Sequence, residues 1–207
     1  MLRTALTCTA LAVLGGFSAS WLTEGFEVWT AEGARRRAVA LAPVSAPPAT
    51  LRGPGLTGVD LNSLLTRPGK VTLVSFIYTR CPDVCRALGS SFQQLQTAVE
   101  HPALPGVQER VQLLSISFDP AHDDVQQLDR YAQLWQANPR TWRMASVPDA
   151  AQLQRLLAAW QVVVIADGVG GYEHNAALLV VDDQGRLVRI FDHSESVAAL
   201  AFARSLP

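Results

Sequence analysis

The chain has 207 residues and a formal net charge of −1, and 49% of its residues are hydrophobic. This length suits one domain of ordinary size with additional segments. The near-neutral charge argues against the basic surface that nucleic-acid binding requires, and the hydrophobic content argues against a disordered chain. With three cysteines, the chain is not a scaffold stapled by disulfides.

The N-terminus is an uncharged and moderately apolar segment. Residues 4–23 carry no charge, and ~20 apolar residues suffice for a helix to cross a bilayer. We expect residues 1–29 to form a membrane anchor, with Trp21 and Trp29 at the outer interface. The alternative is a cleaved signal peptide with Ser18-Ala19-Ser20 as its processing site. Both interpretations place the rest of the chain in the periplasm or an equivalent space outside the cytoplasm.

Two further regions are expected after this segment. Residues 30–49 contain Pro43, Pro47 and Pro48 among alanine and valine, a composition typical of an extended, semi-rigid linker. Residues 50–207 then form the folded domain, which is large enough for one hydrophobic core.

Strand and helix patterns alternate through this domain. The apolar run 71–78 predicts a central strand that is buried on both faces, and apolar residues at helical spacing predict a helix over 85–99. The other predicted elements are a strand at 111–118, a helix capped by Asp123 or Asp124, a strand at 141–145, a helix at 149–160, a hairpin of strands 176–181 and 187–191, and a final helix capped by Ser194 or Ser196. This order predicts an α/β protein with a thioredoxin-like fold, in which helices cover both faces of a mixed central sheet.

Two cysteines, Cys81 and Cys85, follow the first predicted core strand. A helix is expected to begin there, and the partial positive charge of a helix N-terminus lowers the pKa of a thiol. Such a pair binds a soft metal, forms a disulfide or does both, and a lone Cys-x3-Cys motif is also compatible with inert thiols. Helical positions four apart share a face, so both sulfurs can reach one metal.

A metal between two thiolates needs a third ligand, and His174 is the best candidate. It precedes the predicted strand 176–181 in a loop that this fold brings towards the start of the first helix. Two thiolates and one imidazole favour copper, above all Cu(I). Zinc competes, but its structural sites use a fourth protein ligand. A lone loop histidine is more often a solvated surface residue, so the residue pattern leaves both interpretations open.

Three sequence blocks resemble the Sco/SenC family of copper chaperones for cytochrome c oxidase. They are residues 76–85 (FIYTRCPDVC), 115–120 (SISFDP) and 173–175 (EHN), in that order. The resemblance implies a thioredoxin-like fold and copper, as Cu(I) or Cu(II), bound by Cys81, Cys85 and His174. It also implies a role in assembling the dinuclear copper centre of the oxidase, with oxidase subunit II as the partner. A thioredoxin-like reductant and another copper donor are further expected partners.

Three functions are compatible with the cysteine pair. A metallochaperone would hold copper and release it by ligand exchange, and a disulfide between Cys81 and Cys85 would abolish its site. A thiol–disulfide oxidoreductase would use the same pair to reduce cysteines of the oxidase copper site, although the three-residue spacing and the lack of a proline before Ala176 differ from thioredoxins. A peroxidase of peroxiredoxin type is disfavoured, because Thr79 stands two residues before Cys81 rather than three. Only the first function requires His174.

Overall fold

The structure is a computed structural model that describes residues 2–23, 25, 26, 28–81, 84–101 and 110–207, with the backbone alone for residues 84–86. Its helices are α1 (Leu2–Leu22), α2 (Ala31–Leu41), α3 (Leu61–Leu65), α4 (Val84–Glu100), α5 (Val125–Leu134), α6 (Ala150–Ala159) and α7 (Ser196–Ser205). Its strands are β1 (Val44–Ser45), β2 (Thr50–Gly53), β3 (Leu56–Asp60), β4 (Val71–Ile77), β5 (Val111–Ser117), β6 (Trp142–Ser146), β7 (Val164–Ala166), β8 (Tyr172–His174), β9 (Ala177–Val181) and β10 (Arg186–Asp192).

Among the described residues, eight strands form one mixed sheet in the order β1-β10-β9-β4-β5-β6-β2-β3. β5 pairs in parallel with β4 and with β6, whereas β9 pairs with β4 antiparallel. β4 is therefore a central strand, and all of its residues are buried, as its continuous apolar run predicts. Because β4 and β5 run in parallel, the segments that follow them leave the sheet at the same edge.

Helices cover both faces of this sheet. On one face, Trp142 of β6 packs on Phe92 of α4, with ring centroids 5.4 Å apart. On the other, Phe76 of β4 meets Trp160 at the end of α6 edge-to-face, with centroids 6.0 Å apart. The prediction of a thioredoxin-like α/β fold with a mixed sheet between helices is confirmed.

The elements predicted after residue 70 are present within a few residues of their expected bounds. The apolar positions of α4 are buried, as their helical spacing predicts: Leu88, Phe92, Leu95 and Val99. Asp124 caps α5 by accepting the N–H of Gln127 at 2.8 Å. The cap predicted for the last helix is wrong, because α7 begins after Glu195 without a side-chain capping bond. Ser194 instead donates its hydroxyl to Asp192 at 2.8 Å.

The segment 30–49 differs from the extended linker that its composition predicts. Ala31–Leu41 form helix α2, and its N-cap Thr30 accepts the N–H of Gly33 at 2.9 Å. The prolines begin only after this helix, at Pro43, so the composition of the whole segment hides it.

Helix α2 and strand β1 both pack on the domain, so the packed structure begins before residue 50. Arg35 of α2 is 5% exposed and donates to the carbonyl of Trp160 at 3.1 and 3.3 Å. Val39, one helical turn later, is 2% exposed. β1 adds to the sheet beside β10.

Helix α1 has the length and composition expected of a membrane segment. Its most apolar stretch has a mean hydropathy of 1.5, and none of its residues is buried against the rest of the chain. A membrane anchor and a signal sequence share these properties, so both interpretations of the N-terminus remain compatible with α1.

Candidate metal centre

Cys81 lies in the connection between β4 and α4, where it is partly buried against the hydrophobic core. Its backbone N–H donates to the carbonyl of Tyr78 at 3.3 Å, which closes a turn directly after the strand. Cys85 belongs to the first turn of α4, but its side chain and residues 82 and 83 lie outside the described residues. Cys81 precedes helix α4, so the two cysteines do not share one face of a helix as expected. The backbone between β4 and α4 must therefore orient the Cys81 thiol.

A buried carboxylate fixes the backbone of this connection. Asp123 is fully buried and accepts two hydrogen bonds from Thr79, from its N–H at 2.9 Å and from its hydroxyl at 2.6 Å. The hydroxyl of Ser117, the last residue of β5, donates to the same carboxylate. Since Thr79 stands two residues before Cys81, these bonds hold the chain from which the Cys81 side chain projects.

An ion pair adds a second tie to the same connection. Arg80 is exposed and donates to the buried carboxylate of Asp119 at 2.9 Å, and this bond raises the pKa of Arg80. Asp119, His122 and Asp123 bring ligand atoms within 4.8 Å of one another. The two carboxylates are already bonded to Arg80 and Thr79, however, so we assign this cluster to holding the connection rather than to binding a metal.

His174 ends strand β8 and thus lies on a short hairpin rather than in the expected loop. β7 and β8 pair antiparallel, with Val164 opposite His174. The imidazole packs at a steep angle against Phe118, with centroids 5.1 Å apart, and Tyr78, at 6.5 Å. Phe118 and Tyr78 directly follow the parallel strands β5 and β4. The hairpin therefore brings His174 to the edge of the sheet at which the Cys81 connection begins.

Burial among these rings lowers the pKa of His174 to about 4, because an imidazolium loses its hydration there. At neutral pH the imidazole is consequently uncharged, which is the form that ligates a metal. The other histidines differ, since His101 is exposed and His122 and His193 are partly exposed.

This burial predicts that the protein loses stability as the pH falls from about 7 to about 4. The pKa of His174 is about 4 in the folded protein and about 6.5 in an unfolded chain. Between these values the unfolded state binds more protons, so protonation favours unfolding. The loss is complete only below pH 4, where both states are protonated, and is then about 3 kcal/mol.

Urea unfolding at about pH 7, 5.5 and 4.5 measures this loss as a fall in the free energy of unfolding. The variant His174→Gln, which does not titrate, should lack this part of the pH dependence. Parallel pH profiles for the wild type and His174→Gln would contradict the prediction.

Comparisons with known proteins identify the family of this chain and its fold. The family model described as SCO1/SenC matches residues 65–203. A protein of Stutzerimonas stutzeri whose name proposes copper binding is 30% identical over 143 residues, which span 65% of this chain and 66%, just under two thirds, of that relative.

Solved structures share the fold. The structure of Bradyrhizobium japonicum ScoI with copper bound is 24% identical, with a TM-score of 0.62 over 77% of this chain and 98% of that chain. The solution structure of apo Sco1 from Thermus thermophilus is 27% identical, with a TM-score of 0.59 over 79% of this chain and 90% of that chain.

Proposed function

This chain belongs to the SCO1/SenC family, and we propose that it is a membrane-tethered copper metallochaperone. Cys81 and Cys85 supply two thiolates and His174 supplies one imidazole, a donor set that prefers Cu(I) and also accepts Cu(II). The chain delivers this copper to the dinuclear copper centre of cytochrome c oxidase, with subunit II as its partner. Membership of the family and the copper bound in the Bradyrhizobium relative support this proposal.

One observation carries the proposal: the packing of His174 against Tyr78 and Phe118. A histidine without a role is usually solvated at the surface. Here the imidazole is largely buried and uncharged at neutral pH, and its ring lies against the residue that begins the Cys81 connection. This position supports a third ligand beside the two thiols.

The N-terminal helix supports the proposed location. α1 is long and apolar enough to span a membrane, and we place the domain that follows in the periplasm or an equivalent space. In an oxidising compartment Cys81 and Cys85 form a disulfide, whose two-electron reduction must precede copper binding. A thioredoxin-like reductant and an upstream copper donor are therefore the further partners that we propose.

Titration of the reduced, full-length chain with Cu(I) in detergent, against a competing chelator, tests this function. We expect one tightly bound equivalent, with an affinity that falls by more than ~10-fold in His174→Ala, because losing a direct ligand should cost more than losing a residue that only orients one. His193→Ala is the matched control, because that side chain is partly exposed and pairs with Asp192.

A chain that binds no tight equivalent, or whose binding does not change in His174→Ala, would contradict the metallochaperone proposal. It would favour thiol–disulfide exchange on the cysteines of the oxidase copper site, because that reaction needs Cys81 and Cys85 alone.

A further inference from the structure

The hydroxyl of Tyr78 joins the strand that leads to Cys81 with the hairpin that carries His174. It accepts the backbone N–H of Tyr172 and donates to the Tyr172 carbonyl, both at 3.2 Å. Tyr78 stands three residues before Cys81, and Tyr172 stands two residues before His174. The Tyr78 side chain thus links the segment that leads to Cys81 to the backbone of the segment that carries His174.

The outer side of this hairpin contributes little to holding it in place. Val163, Ile165 and Val169 are 52%, 59% and 90% exposed, and segments with little buried apolar surface open readily. At the hairpin base, the side-chain amide of Asn175 accepts the N–H of Val163 at 2.8 Å and donates to the carbonyl of Gln161 at 3.0 Å. These bonds join the two ends of the hairpin to each other, but they do not tie it to β4.

A glycine lies where the hairpin approaches the Tyr78 hydroxyl. A Cβ atom at Gly171 would lie 3.2 Å from the Tyr78 hydroxyl and 2.5 Å from Oδ2 of Asp167. Asp167 shapes the hairpin tip by accepting the N–H groups of Val169 and Gly171, both at 2.8 Å, and these bonds lower the pKa of Asp167. The tip therefore presents the backbone of Tyr172 to the hydroxyl.

We propose that the Tyr78 hydroxyl is a positioning group for His174, which fixes the imidazole relative to the cysteine connection and thereby sets the affinity for copper. This inference rests on the proposed function. A phenylalanine at this position keeps the ring contacts with Phe118 and Tyr172, whose centroids are each 5.3 Å from that of Tyr78. It removes the partner of the Tyr172 N–H and carbonyl, so the hairpin keeps its ring contacts but loses its hydrogen bonds to the Tyr78 side chain.

The test is a Cu(I) titration of the reduced, full-length chain carrying Tyr78→Phe, against a competing chelator. We expect the affinity to fall about 10-fold, as for other residues that orient a metal ligand. In the His174→Ala background the same substitution should change the affinity by less than about 2-fold, because no imidazole remains to be positioned. Tyr131→Phe is the matched control: it removes a tyrosine hydroxyl from α5, where the ring packs on Trp135, and should leave the affinity unchanged.

A second measurement needs no copper. Hydrogen exchange of the Tyr172 amide in the reduced apoprotein should accelerate about 10-fold in Tyr78→Phe, because that amide loses its acceptor. Tyr131→Phe should not change its rate.

Each contrary outcome overturns a separate step. Unchanged exchange at Tyr172 would overturn the link between the hydroxyl and the hairpin. Faster exchange with unchanged copper affinity would overturn its role in positioning His174. Equal losses of affinity with and without His174 would show that the hydroxyl acts on the fold, which also overturns that role. A wild-type chain that binds no Cu(I) would instead overturn the proposed function, independently of the exchange result.

Discussion

The variant Cys81→Ser is expected to lose tight Cu(I) binding while it keeps its fold. Serine has nearly the shape of cysteine, so the partly buried position in the β4–α4 connection remains filled. A hydroxyl is a hard, protonated donor at neutral pH and does not replace a soft thiolate. Loss of a direct ligand should exceed the ~10–100-fold cost of losing a residue that only orients one, and we expect a fall of more than about 100-fold.

The measurement is competition with a Cu(I) chelator on the reduced, full-length chain, together with urea unfolding to confirm the fold. Cys8→Ser is the matched control, since Cys8 is exposed on α1 and belongs to no proposed site. Tight binding that survives Cys81→Ser, or that is lost equally in Cys8→Ser, would contradict the assignment of Cys81.

The variant Asp123→Ala is expected to lower the free energy of unfolding by about 3–5 kcal/mol. The substitution leaves the N–H and hydroxyl of Thr79 and the hydroxyl of Ser117 without their shared acceptor. Each buried donor that loses its partner costs about 1–3 kcal/mol, and the three losses are not additive because they share one carboxylate. The Cys81 connection loses the same bonds, so Cu(I) affinity should fall in the folded fraction.

Asp124→Ala provides a matched control for this prediction. Asp124 is the adjacent residue and caps α5 through one hydrogen bond to the N–H of Gln127. Losing that cap should cost about 1 kcal/mol. Urea unfolding of both variants measures the difference. Equally small losses in the free energy of unfolding would show that the Asp123 carboxylate does not hold the connection between β4 and α4.

The parts of the fold that sequence could predict are those with local signals. β4 is a continuous apolar run, and α4 repeats apolar residues at helical spacing, so both follow from neighbouring residues alone. Their order along the chain then predicted the thioredoxin-like sheet and the place of Cys81. β2 and β3 also carry a local signal, Pro54-Gly55 between them, which marks a turn.

Other parts depend on distant contacts. β7 and β8 are three residues each, too short for a periodic pattern, and they form where the hairpin meets Tyr78 and Phe118. The role of Asp123 depends on Thr79, 44 positions earlier in the chain. One general signal in the sequence indicates this role of Asp123. Parallel strands bring their carboxyl ends to one edge of the sheet, and the polar residues Ser117, Asp119 and Asp123 lie at or after the end of a strand that is parallel to β4. Helix α2 also depends on a distant contact, since its buried Arg35 donates to the carbonyl of Trp160, far along the chain.

The most direct test of the proposed copper site is X-ray absorption at the copper edge of the reduced protein loaded with one equivalent of Cu(I). The proposal predicts a first shell of two sulfur atoms and one nitrogen atom. The nitrogen should be absent from the first shell in His174→Ala. Any copper that Cys81→Ser still binds should have one sulfur atom fewer in its first shell. A first shell without nitrogen in the wild type, or a nitrogen that persists in His174→Ala, would contradict the assignment of Cys81, Cys85 and His174 as the copper ligands.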